Sequence, residues 1–75
     1  MKKIIDELTK SIYDAEVEQR NKTGKMWGRD ALDSHYFRYE IMEDNVNEIA
    51  ETYGISYDDA VQAFVEAWNK AHDML

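Results

Sequence analysis

The sequence predicts an all-α protein, a three-helix up-down-up bundle with a long central helix. Three observations predict it. Proline is absent and only three glycines interrupt the chain. Apolar residues recur at three- and four-residue spacing in each segment between the glycines. Asp30 and Ser56 stand as N-cap residues where two of those segments begin. The 75 residues form a single helical domain, 1–75. A chain this short buries only about 60 to 65% of its unfolded surface, so its own core leaves a thin stability margin. With no cysteine, disulfides and thiolate metal sites are both excluded.

The first helix is expected from Lys3 to about Asn21. Ile5, Leu8, Ile12 and Ala15 form its stripe, widened by Ile4 and Tyr13. Asp6 and Glu7 in its first turn and Arg20 and Lys22 in its last complement the helix dipole. Asn21 to Arg29, NKTGKMWGR, holds two of the three glycines and reads as the first loop. Trp27 sits there among Lys22, Lys25 and Arg29, and is read as a lid over the core or an anchor for a partner.

The central helix is expected from Asp30 to Tyr53. Leu32, His35, Tyr39, Met42, Val46, Ile49 and Tyr53 are spaced 3, 4, 3, 4, 3, 4 along it. Tyr36, Phe37 and Ile41 lie off that stripe and widen the apolar surface of the first half. This excess predicts a second neighbour, and the three residues are assigned to self-association as a homo-oligomer. An alternative has four helices, with a break near Asp44/Asn45, because Asn45 followed by Glu48 is a weak capping box. Gly54 is the next stop, and Ser56 caps a third helix with the stripe Val61, Phe64, Val65, Trp68, Ala71 or His72, and Leu75.

Sixteen acids against nine bases give a net charge of −7, unevenly placed. Residues 18–29 carry four bases and one acid, and residues 30–75 carry two bases and eleven acids. That surface repels nucleic acid and phospholipid heads and attracts basic partners. No apolar run approaches the roughly 20 residues of a membrane span. The opening MKKIIDELTK meets Asp6 before a signal-peptide core forms. A cytoplasmic protein is expected.

Residues 49–61, IAETYGISYDDAV, resemble the helix-turn-helix consensus. Ala50 stands at the crossing, Gly54 in the turn, Ile55 after it and Ser56 at the second N-cap. The resemblance implies a small DNA-binding regulator using residues 49–68. The positions facing a major groove, however, would be Tyr57, Asp58, Asp59 and Gln62, carboxylates that meet phosphates and acceptor-rich base edges.

Catalytic chemistry finds no constellation: the only histidines are His35 and His72, and no nucleophile stands at relay spacing from either. His35 is read as a core or interface histidine bonded to a carboxylate. HExxH, Glu-x-x-His and EF-hand patterns are absent, so no metal and no cofactor is expected. Recognition through surfaces remains. The expected function is a non-enzymatic protein–protein interaction module, including the sharper form of an inhibitor, of the phage or mobile-element type, that mimics DNA toward a basic nucleic-acid-binding protein. Its partner-binding residues would be Trp27, Glu40, Glu43, Asp44, Glu48, Glu51, Tyr57, Asp58 and Asp59.

Overall fold

Helical periodicity carries through into the structure, a computed structural model that describes all 75 residues, Met1–Leu75. Helix α1 spans Lys2–Thr23. It ends at Gly24, whose φ of 76° is left-handed and whose N–H donates to the Arg20 carbonyl. A 3-10 turn, Arg29–Asp33, follows the loop. A π-helical stretch, Phe37–Met42, then leads directly into α2, Glu43–Tyr53. Gly54, with φ 64°, closes α2 in the left-handed conformation, and its N–H reaches the Ala50 carbonyl. Ser56 starts α3, Tyr57–Met74, its side chain accepting from the Asp59 N–H.

Up-down-up order holds. Ile5 of α1 packs on Ala63 and Ala67 of α3, and Glu16 further along α1 meets His72 further along α3. The two helices therefore run in the same sense, with α2 against both. The hub is not the second helix, as the sequence predicts, but the third. Both α1 and α2 pack on α3 and scarcely touch each other. Four alanines explain the closeness of α1. Ala60, Ala63, Ala67 and Ala71 recur at three- and four-residue spacing and are fully buried, which lets a neighbouring backbone approach. The larger apolar residues of α3, Phe64 and Trp68, are buried beside this alanine stripe.

The expected helix from Asp30 is corrected in three respects. Asp30 is not its N-cap: residues 29–33 form a separate 3-10 turn, and the helix restarts at His35 with Ser34 Oγ accepting the Phe37 N–H at 3.3 Å. No break occurs near Asp44/Asn45. The irregularity lies upstream, where the π turns insert about one extra residue, and Asn45 Nδ2 donates to the Ile41 carbonyl at the end of that stretch. Most consequentially, the buried stripe is Phe37, Met42, Val46 and Ile49, with spacing 5, 4, 3. His35 and Tyr39, on the regular stripe, face solvent and meet each other in a tilted arrangement with ring centroids 4.5 Å apart. The five-residue step is what a π turn supplies.

That choice is made by aromatic packing. Phe37 is completely buried. Its ring meets Trp27 edge-on at 5.0 Å, Trp68 at 4.8 Å and Phe64 at 6.5 Å. Burying one phenylalanine in such a cluster is worth roughly 1.5–3 kcal/mol, beyond any gain from a half-exposed histidine or tyrosine at the same place. Phe37 is therefore a core residue, which corrects its assignment to self-association. Tyr36 is 62% exposed and Ile41 half-buried, so the three do not form one surface patch. Ala15, expected on the α1 stripe, is exposed, and its neighbour Glu16 is buried instead.

Candidate functional site

Because α1 and α2 rest on α3 without closing on each other, a trough remains between them. It has a volume of about 510 Å³. Leu8, Ile12, Ala15, Glu16 and Gln19 form the α1 wall, and Ile41, Asn45, Glu48, Ile49, Thr52 and Tyr53 the opposite wall. Phe37, Phe64 and Trp68 form the floor, and Trp27 closes one end. At the other end Tyr53 Oη donates to Glu7 Oε2 at 2.8 Å, tying the two walls together. That bond to a carboxylate raises the Tyr53 phenol above its ordinary value, with desolvation and the Glu7 charge adding to it. Two acids and no lysine, arginine or histidine line the trough.

Glu16 is the unusual member. It is 4% exposed, in a chain that places almost every other charge in water. Its Oε2 lies 2.9 Å from His72 Nε2. The same nitrogen is 3.1 Å from the Trp27 carbonyl oxygen, while His72 Nδ1 is 2.8 Å from the Trp68 carbonyl oxygen. The His72 ring is thus held by two backbone carbonyls and the Glu16 carboxyl group, with both ring nitrogens engaged. This pair also fastens the loop. Trp68 Nε1 donates to the Arg29 carbonyl at 3.3 Å, and Arg29 pairs with Asp73. Loop residues 27–29 are thus held by α3 through three side chains, which is how Trp27 comes to lie over Phe37. The lid reading of Trp27 holds.

Glu16 is not among the residues that the sequence predicts for a site, and His72 is predicted only as an alternative to Ala71 on the α3 stripe. A signal was present: Glu16 falls one helical turn beyond Ile12, on the apolar side of α1, where a solvated carboxylate has no reason to be. His35, expected to be buried with a carboxylate, exchanges roles with His72.

Five of the nine expected partner-binding residues fall into two groups. Trp27 and Glu48 line the trough, together with Ile41 from the expected self-association set. Glu43, Tyr57 and Asp58 form a second patch where α2 passes the start of α3. Tyr57 Oη donates to Glu43 Oε2 at 2.6 Å. This bond raises the Tyr57 phenol above its ordinary value, with smaller contributions from desolvation and from the charges of Glu43 and Asp58 and the nearby Tyr39. Glu40, Asp44, Glu51 and Asp59 are exposed and form no side-chain bond to either group.

The α2–α3 corner has the expected turn geometry, with Gly54 left-handed and Ser56 capping. Its second helix is the most buried of the three. The side it leaves exposed carries Tyr57, Asp58, Asp59, Gln62 and Glu66, with Lys70 as its only base, 4.0 Å from Asp6. No helix is long and apolar enough to cross a membrane. No protein-family model matches the chain, and neither a curated protein nor a solved structure matches it.

Proposed function

We propose that this chain is a non-enzymatic protein–protein interaction module whose α1/α2 trough receives an amphipathic helix from a basic partner. The observation that supports this most is the lining: an apolar floor and walls with two carboxylates and no cation. Such a surface favours an apolar stripe flanked by lysine or arginine, the helix-in-groove mode of recognition. The α1 wall from Leu8 to Gln19 spans eleven residue steps, about 16 Å at 1.5 Å per step. An open trough of that length suits three turns of helix better than a compact small molecule.

Like charge argues against a second copy as the occupant, since each chain carries −7. The exposed acids of α2 and the start of α3, Glu40, Glu43, Asp44, Glu51, Asp58 and Asp59, add long-range attraction for a basic protein. An inhibitor that displaces nucleic acid from such a protein is the narrower form of the same proposal, supported by the Glu43–Tyr57–Asp58 patch.

The test is a titration of isotope-labelled protein with an 18-residue capped helix, leucine along one face and lysine beside it. Resonances of Ile12, Ile41, Ile49 and the Trp68 indole should move while those of Lys2 and Met74 stay. Shifts confined to the Tyr57 patch, or none, would sink the groove proposal. Light scattering alongside should show one chain per particle, and a dimer that dissociates on adding the peptide would make the second copy the native occupant.

A further inference from the structure

We infer that Glu16 is the specificity element of the trough, and that it selects a partner helix carrying a lysine or arginine in the middle of its apolar stripe. The inference rests on the groove reading above and narrows it to a stated side chain at a stated depth. A carboxylate with 5% of its side chain exposed is costly to keep in a small domain unless each of its oxygens is engaged. Only Oε2 is engaged, 2.9 Å from His72 Nε2. Oε1 accepts no hydrogen bond within the chain, yet no buried side-chain polar atom is sealed off without a partner. Oε1 therefore keeps an opening, and we assign it to the trough because Glu16 is one of the trough's lining residues. The result is a half-satisfied carboxylate among Ile12, Phe37 and Trp68, with His72 fixing its orientation from behind.

A lysine ammonium or arginine guanidinium on an incoming helix would complete the site. Its aliphatic stem would lie along the apolar wall and its charged head would reach Oε1. The low-dielectric surroundings that make the unpaired oxygen costly make the paired one selective. Glu48 does not share this property. It is exposed on the opposite wall and well solvated, so it attracts cations without discriminating among positions along a helix.

The experiment uses two capped 18-residue helices that are identical except at the centre of the leucine stripe, one with lysine and one with norleucine. Both are titrated against the wild-type chain and against Glu16→Gln and Glu48→Gln. For wild type, the lysine peptide should bind at least about tenfold more tightly, the difference a hydrogen bond to a charged group supplies, and the Glu16 side-chain carboxyl resonance should move with that peptide alone. Glu48→Gln should weaken both peptides by the same factor and keep the preference, and Glu16→Gln should abolish it while still binding the norleucine peptide. If Glu16→Gln does not fold, the wild-type comparison and the carboxyl resonance decide the matter. Equal or tighter binding of the norleucine peptide, with shifts still mapping to the trough, overturns the role of Glu16 and leaves the groove reading standing. Absence of trough shifts with both peptides overturns the groove reading and this inference together.

Discussion

Removing the Glu16 side chain should be the most damaging single change to a charged residue of this protein. Glu16→Ala leaves the His72 ring enclosed, its nitrogens still facing the carbonyls of Trp68 and Trp27 but without the Glu16 carboxyl group that it pairs with. Breaking one side of a buried ion pair costs about 3–5 kcal/mol. A 75-residue domain at roughly 0.05–0.15 kcal/mol per residue has only about 4–11 kcal/mol in total. The variant should therefore lose between about a quarter and all of its stability. Asp14→Ala is the control, because the Lys10–Asp14 pair on the same helix has side chains 80% and 60% exposed. It should cost no more than about 0.5 kcal/mol. Urea unfolding followed by tryptophan fluorescence suits the question, since the Trp68 ring lies 4.4 Å from the His72 ring. The double replacement Glu16→Met with His72→Phe should recover most of the loss, because removing both charges leaves no unpaired group. A loss below about 1 kcal/mol for Glu16→Ala would refute the reasoning, placing the pair in the range of ordinary surface substitutions.

Two further outcomes follow from the same structure. Deleting Tyr39, one exposed residue inside the π stretch, should convert Phe37–Met42 to a regular α-helix with Phe37, Met42 and Val46 at successive four-residue spacing and keep stability within about 1 kcal/mol by urea unfolding; deleting Gln62 from α3 instead rotates everything after it by about 100° and should prevent folding. Alkaline titration followed by tyrosinate absorbance should show two late phenols, which Tyr53→Phe and Tyr57→Phe remove one each. Both phenols are raised chiefly by donating to a carboxylate, so the stability these bonds contribute is fully present below about pH 10, the unfolded phenol value, and is lost as pH rises through the raised folded values.

The trough explains why function was only partly legible from residues. Trp27 and Glu48 carried recognisable signals, an aromatic on a basic loop and an acid on an amphipathic helix, and both line the site. Phe37 was recognised as surplus to the main stripe, but its surplus was taken up by the core instead of by a second molecule. Glu16 and His72 are 56 positions apart. Nothing in the local pattern of either helix says that one faces the other.

Local chemistry determined where α1 and α2 end and where α3 begins. Gly24 and Gly54 stop α1 and α2 because a left-handed residue after a helix is nearly free for glycine alone, and Ser56 starts α3 because its hydroxyl satisfies an orphan N–H. The acidic bias of residues 30–75 is likewise plain in the chain itself. Which face of the second helix turns inward was decided only in three dimensions. Two apolar stripes compete there, and a one-residue π turn lets Phe37 reach Trp27, Phe64 and Trp68 at little local cost. The trough has the same origin: it exists because the alanine stripe of α3 draws α1 onto itself and away from α2, a relation between three helices that no single stretch of residues contains.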